Sequence, residues 1–377
     1  MARDSLFGER IVWAGRPKIV TVPTGYRIGA VVMAIVAIIS LAFAILVATA
    51  LHAPVGGLIL FACWSSTLAV ALRYGPAVWR SEIEYVVTEK HVMWKRGRIR
   101  RTIDRSAISY ARIHWHPSLP GLGDLELVRA VPTGALRRRL SLLLPGVMAP
   151  DRLWAIIRGV PASGGAGDGQ RPLSQRLDDG ERVLWSARPI WSWREWLPVR
   201  GGQLVTAAIG ALVAIAFVRE LMTAVPAARR VLAAGLSSRS PAFIALVSAV
   251  ALTAVLLACV AAGLGYVALV RPARLVQKTR YLITDRRVLI QRGNEELCLD
   301  RARIVDVIDS PSQQSGLHDI FLVLDGPRAR ALAASGAFGE RDIENGLVPV
   351  FHSVADADEV SEILRMPGAP PPMHDAA

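Results

Sequence analysis

The chain has 377 residues, 52% of them apolar, with three cysteines and a formal net charge of +13. Three cysteines exclude a disulfide scaffold, and the length admits two or three domains. Nucleic-acid binding needs a reading module or an aromatic-basic surface; neither stands out, and no nucleic-acid partner is expected.

In chain order, the first landmark is GERIVWAGRP, Gly8 to Pro17, which returns as GERVLWSARP, Gly180 to Pro189. A decapeptide with the same residues at the same offsets marks the start of a duplicated module. Residues 1–25 read as an N-terminal interfacial segment, with Trp13 at membrane-interface depth and Pro17 restricting the backbone before the first span.

From Ile28 to Leu72 there is no Asp, Glu, Lys or Arg, and His52, Ala53, Pro54, Gly56 and Gly57 divide the run once. Each piece is about one bilayer long, which predicts a transmembrane hairpin over 26–73. It starts too late and runs too long for a cleaved signal peptide. Arg3, Arg10, Arg16, Lys18 and Arg27 precede it, Arg73, Arg80 and the run Lys95 to Arg101 follow it, and its turn carries no Lys or Arg. By the positive-inside rule both termini and both soluble domains are expected on the cytoplasmic side of a bacterial inner membrane. Much of the +13 then serves orientation and contact with anionic lipid.

Residues 80–160 read as a β-rich domain. Ser81 to Trp94 alternates, Gly97 supplies a hairpin turn, and Arg98, Arg100 and Arg101 lie on a basic strand. His114 and His116 fall on one face of a strand at a spacing compatible with a metal. No Cys or acid completes a ligand set, so neither a metal nor a cofactor is expected. Asp151 to Arg158 closes the domain as a short helix. A linker follows over 161–179, then a repeated interfacial segment over 180–200 with Trp185, Trp191, Trp193 and Trp196.

The second hairpin covers 201–270, and a second β-rich domain covers 274–366 ahead of a tail at 367–377. Tyr85, Thr88, Val92 and Gly97 recur 196 positions later as Tyr281, Thr284, Val288 and Gly293, whereas the decapeptides are 172 apart. The second copy therefore holds 24 extra residues, most of them placed in Arg219 to Ser240. That insertion reads as an external amphipathic helix interrupted at Pro226 and lying in the interface. Arg219, Met222, Val225, Arg229, Arg230 and Leu232 are its candidate partner contacts.

The order GE-R-x-x-W-x-x-R-P, hairpin, Y-x-x-T-x-x-x-V and G-x-x-D-I/L-x-L resembles bacterial membrane proteins whose soluble part is a pleckstrin-homology-like domain. Gly180 to Pro189 with Trp191 and Trp193, then Tyr281, Thr284 to Val288, Gly316, Asp319 and Ile320, is also similar to the photosynthetic complex assembly proteins of purple bacteria. The resemblance covers nearly the whole chain as two tandem copies. It implies integral membrane α-helical hairpins plus two small β-rich pleckstrin-homology-like domains, each closed by a C-terminal helix. The paired arginines Arg286 and Arg287 of copy two are Lys90 and His91 in copy one, and His318 stands where copy one has Gly123, so one ligand site used twice is not expected.

No nucleophile elbow, phosphate loop, His-Glu-x-x-His or dinucleotide fingerprint is present, and the spans contain no acid or base of the kind that marks an ion path. The expected function is non-catalytic: a membrane-anchored scaffold, assembly factor or accessory subunit of an integral membrane complex, photosynthetic or respiratory. The alternative is an anionic-lipid-binding or envelope-stress membrane protein. Trp13, Trp185, Trp191, Trp193 and Trp196, with Lys95, Arg96, Arg98, Arg100 and Arg101, are the candidate interfacial or lipid contacts.

Overall fold

The computed structural model describes residues 5–6, 9–18, 22, 24–51, 54–129, 140–162, 167, 169, 171–190, 196–198, 201–233, 241–312, 316–324 and 347–366. Each copy follows one order: a strand, two long helices, six strands and a short helix. In copy one a two-residue strand β1 (Ser5–Leu6) and β2 (Glu9–Gly15) precede α1 (Thr24–Leu51) and α2 (Gly56–Ser81). Then come β3 (Ile83–Thr88), β4 (His91–Arg96), β5 (Ile99–Asp104), β6 (Tyr110–Trp115), β7 (Leu122–Arg129), β8 (Leu140–Met148) and α3 (Pro150–Arg158). Copy two opens with β9 (Val183–Ala187), α4 (Gly201–Ala233) and α5 (Pro241–Gly265), the last running through a π-turn into α6 (Arg271–Gln277). It continues with β10 (Thr279–Thr284), β11 (Arg287–Arg292), β12 (Glu295–Asp300), β13 (Ile304–Pro311), β14 (His318–Leu324), β15 (Val350–Val354) and α7 (Ala357–Arg365).

The chain divides into two compact units, one made of 22–77 with 193–274 and one of the remainder. In the helical unit four helices are long and apolar enough to cross a membrane. Their burial is inverted relative to a soluble core. Ala30, Ala37, Ser40, Ala44, Ala62, Ser65 and Ala69 are buried, while Ile28, Ile38, Leu60, Trp64, Leu212 and Ile215 are exposed. Close approach of the helices needs small residues: a Cβ added at Gly210 of α4 would lie 3.2 Å from Leu264 Cβ of α5.

The insertion departs from expectation. Instead of a separate interfacial helix broken at Pro226, residues 219–233 extend α4 as one continuous helix with Pro226 inside it. A helix tolerates the missing donor and ring clash of one proline when the surrounding sequence, here rich in Ala, Leu and Arg, favours helix on both sides.

The β unit corrects a second expectation. The repeated decapeptides are not interfacial segments standing outside the soluble domains; each supplies a strand to a sheet. β2 pairs with β3 and β9 pairs with β10, both antiparallel. Ile11 sits opposite Thr88 and Trp13 opposite Val87, and likewise Val183 opposite Thr284 and Trp185 opposite Ile283. The extra residue between each pair, Val12 or Leu184, forms a bulge and is exposed. Trp185 is 8% exposed and its ring lies 5.8 Å from Phe351, while Trp13 packs against the core of copy one. An indole facing a sheet interior buries more apolar surface than one lying at a lipid boundary.

Strands β1 to β5 form one sheet in that order, and β13, β14 and β15 form another. A third, seven-stranded sheet has the order β8, β7, β6, β12, β11, β10, β9, in which the second half of copy one and the first half of copy two are joined. The join is the β6 to β12 pairing, with Glu295 opposite His114 and Cys298 opposite Ala111. Two cores result, one around Tyr85, Ile113, Leu125 and Leu144 and the other around Tyr281, Ile290, Ile320 and Phe351.

The aspartates that follow the repeated glycines have a backbone role. Asp124 accepts from the Gly146 N–H at 2.7 Å, and Asp319 from the Ser353 N–H at 2.9 Å. Both donor residues are left-handed, Gly146 at φ 67° and Ser353 at φ 56°. A Cβ in that region costs about 1–2 kcal/mol. Gly146→Ala is expected to destabilise the protein by about 1 kcal/mol and Ser353→Gly to stabilise it by a few tenths, once the greater freedom of glycine in the unfolded chain is subtracted. Denaturant unfolding of the detergent-purified protein checks both, and shifts of equal sign would contradict the backbone account.

Candidate functional site

The residues shared by the two repeats converge on one arrangement. In copy one Glu9 on β2 accepts from Thr88 Oγ1 at 2.6 Å and contacts His91 Nδ1 at 3.0 Å. The other His91 nitrogen lies 2.9 Å from Asp104 Oδ1. In copy two Glu181 accepts from Thr284 Oγ1 at 2.6 Å and from Arg287 Nε and Nη2 at 2.8 and 2.7 Å. Glu181 also accepts from the Asp178 N–H at 2.7 Å. Threonine at the end of β3 or β10 leads into a tight turn, so its hydroxyl also accepts from the N–H three residues on, at 2.9 Å in both copies. His91 thus takes the place of Arg287 and binds the same glutamate.

A second arginine fastens each closing helix. Arg105 donates to the Ile157 and Ile156 carbonyls at the end of α3 at 2.8 and 3.0 Å, and to the Thr88 and Glu89 carbonyls at 3.1 and 2.9 Å. Arg301 does the same for α7, donating to the Ile363 carbonyl, to the Met366 carbonyl at 2.7 Å and to the Thr284 carbonyl at 3.2 Å. Cationic guanidinium groups at helix C-termini satisfy orphan carbonyls and match the helix dipole. Arg301 is buried. The signal in the sequence is the Asp-Arg pair at 104–105, repeated at 300–301.

Around the copy-two site lies a buried ionic network that includes the linker. Arg176 Nη1 donates to Glu296 Oε2 at 2.6 Å, and Trp115 Nε1 donates to the same oxygen at 3.1 Å. Arg158 reaches Asp178 and Asp300, each at 2.9 Å, and Arg287 Nη2 lies 3.3 Å from Asp178. Arg158, Arg176, Asp178 and Glu296 carry no motif, and only the folded chain brings them together.

The electrostatics favour a fixed structure over reactivity. Burial pushes the Glu181 carboxyl up, but the hydrogen bonds and charge of Arg287, with Thr284, more than offset this and hold it below its ordinary value of 4.5. Burial pushes Arg287 down, and Glu181 raises it further still, so the net shift is upward. Thr88 and then His91 lower Glu9. Cys298, fully buried beside Glu296, has its thiol pushed well up, away from the thiolate form a nucleophile needs. Among the described residues no group of three His, Cys, Asp or Glu is placed to hold a metal ion.

The candidate contact residues are scattered. Lys95 and Arg96 are half-buried on β4, with Arg96 paired to Glu82 at 3.1 Å, while Arg98, Arg100 and Arg101 are exposed in the β4–β5 turn and on β5. Trp196 is exposed, and Trp191 and Trp193 lie outside the described residues. Arg219, Met222, Val225, Arg229 and Arg230 are exposed on α4; Leu232 belongs to the same helix, and its side chain lies outside the described residues.

Glu181 and Arg287 side chains are 0% and 8% exposed, against 16% and 33% for Glu9 and His91. Removing one partner of a buried ion pair costs about 3–5 kcal/mol. Arg287→Ala is expected to fall in that range in denaturant unfolding, and His91→Ala to cost about 1 kcal/mol or less. The Glu181 value is lower folded than unfolded, so its contribution is full above about pH 4.5 and is lost as pH falls through the folded value. Glu181→Gln is expected to flatten that acid limb of the stability profile; an unchanged limb would exclude Glu181 as its source. Comparison of the chain with protein-family models, curated proteins and solved structures finds no match.

Proposed function

We propose that the chain is a non-catalytic, membrane-anchored scaffold that serves as an assembly factor or accessory subunit of an integral membrane complex, photosynthetic or respiratory. The observation that carries this reading is how the repeated polar residues are used. Glu9, Thr88, Arg105 and their counterparts Glu181, Thr284 and Arg301 are engaged in bonds that hold strands and helices together. What faces outward is apolar helix surface and basic strand.

Membrane insertion is supported by the inverted burial of the long helices. In lipid the large apolar side chains face the solvent and small residues allow helices to pack closely, which is the pattern of Ala30, Ala37 and Ala44 against Ile28, Ile38 and Leu60. The distribution of Arg and Lys supports an inner-membrane protein with both termini and both β domains in the cytoplasm. The order of strands in each copy, a run of four (β2 to β5, β9 to β12), a run of three (β6 to β8, β13 to β15) and a closing helix, supports the pleckstrin-homology-like reading. Arg219, Met222, Val225, Arg229, Arg230 and Leu232 are the proposed contacts with the complex.

A second reading, binding of anionic lipid headgroups, draws on the exposed Arg98, Arg100 and Arg101. Purification of the native protein in mild detergent separates the two. Co-purification of a multispan complex that survives high salt is expected for the scaffold. Isolation without any other protein, together with salt-sensitive binding to phosphatidylglycerol vesicles, would overturn it in favour of the lipid reading.

A further inference from the structure

The two copies hold the same carboxylates with different cations. Through the repeat, Glu9, Thr88, His91 and Asp104 of copy one stand where Glu181, Thr284, Arg287 and Asp300 stand in copy two. In copy two both acids meet an arginine: Arg287 Nε and Nη2 donate to Glu181 at 2.8 and 2.7 Å, and Arg158 Nη1 donates to Asp300 at 2.9 Å. In copy one a single histidine serves both. His91 Nδ1 lies 3.0 Å from each Glu9 carboxylate oxygen, and Nε2 lies 2.9 Å from Asp104 Oδ1.

This geometry is complete in only one protonation state. A neutral imidazole carries one N–H, so it can donate to Glu9 or to Asp104 and turns a lone pair toward the oxygen of the other. The imidazolium donates to both. An arginine in the same place never gives up its proton, so the copy-two joint carries no such dependence. The copy-one groups are open enough for proton exchange with solvent: the side chains of His91 and Asp104 are 33% and 58% exposed.

The other charged groups around His91 do not replace its proton. Lys90, beside it in the β3–β4 turn, acts on Glu9 through its charge alone. Glu89 in the same turn is exposed and adds negative charge. Arg105, next to Asp104, directs its guanidinium to the carbonyls of Thr88, Glu89, Ile156 and Ile157. Thr88 Oγ1 donates to Glu9 at 2.6 Å whatever the state of the imidazole, so loss of the proton weakens the joint without undoing it. Four strands meet there: Glu9 opens β2, Thr88 ends β3, His91 opens β4 and Asp104 ends β5.

We propose that His91 is a proton-dependent latch on β2, holding Glu9 and Asp104 together when protonated and loosening when neutral. The stabilisation is present at the acid end of the range in which histidine changes charge, about pH 5 to 8, and is lost toward the alkaline end. As the latch loosens, β2 opens more often from β3, whereas β9, secured through Glu181 by Arg287, keeps its place. β2 is the last strand before α1, so the device acts on the segment that enters the first helical hairpin and not on its copy-two counterpart. Membrane insertion and the identity of any partner complex do not enter the inference.

Hydrogen exchange of the full-length protein in detergent tests this, read by mass spectrometry on peptides covering residues 9–15 and 183–187 and corrected for the intrinsic effect of pH on exchange. Between about pH 5.5 and 8 the opening of 9–15 is expected to rise about threefold to fivefold, the scale of a partly exposed ion pair, while that of 183–187 stays constant. His91→Arg, which installs the copy-two residue, is expected to abolish the rise, and His91→Gln to give the more open level at every pH. Asp104→Asn is expected to shrink the rise, because a neutral imidazole can then donate to Glu9 and accept from the amide. Opening of 9–15 that does not change with pH, an equal rise in 183–187, or a rise that persists in the His91→Arg protein overturns the proposal.

Discussion

The structure depends on the bond between a glutamate that precedes each helical hairpin and a threonine that follows it. Glu9 and Thr88, and Glu181 and Thr284, are separated in sequence by two long helices, yet each pair meets at 2.6 Å. The strand that carries the glutamate can join its sheet only if the two helices return the chain to where it left. The hairpin is thus a loop closed by the β unit. The entropy lost in closing so long a loop grows only slowly with its length, and the strand ladder, the bulge and the buried indole offset it.

The same joint has diverged between copies in a way that follows its surroundings. In copy one it is partly exposed, and a histidine shared between Glu9 and Asp104 is sufficient. In copy two the linker and α3 cover it, and a buried carboxylate there requires a fixed positive partner. Arginine supplies two parallel hydrogen bonds from one planar group, and Arg158 and Arg176 balance Asp178, Asp300 and Glu296 nearby. A linker of ordinary composition has become part of the core, because Arg176 and Leu173 fill the space beside the β6 to β12 join.

Much was legible in the residues. Uncharged runs placed the four long helices, since length and the absence of charge identify a bilayer-length helix without tertiary information. The paired offsets of 172 and 196 exposed the duplication and the extra residues of copy two. Gly97 and Gly293 were readable as hairpin turns, and both have positive φ. The fate of the insertion was not readable, because Pro226 signals a break only when the flanking residues and packing do not sustain the helix. Trp13 and Trp185 were misplaced for a related reason: tryptophan serves equally at a lipid boundary and under a sheet, and its partner Phe351 lies far away in the chain.

By itself the sequence determined the long helices, the repeat, the turns and the closing helices, all of which rest on local pattern or self-similarity. The tertiary structure decided that the decapeptides are strands, that Arg105 and Arg301 clasp the closing helices, and that β12 of one copy pairs with β6 of the other. These are contacts between residues distant in the chain, selected by the edges and charges that folding brings together, and no short window of sequence contains both partners.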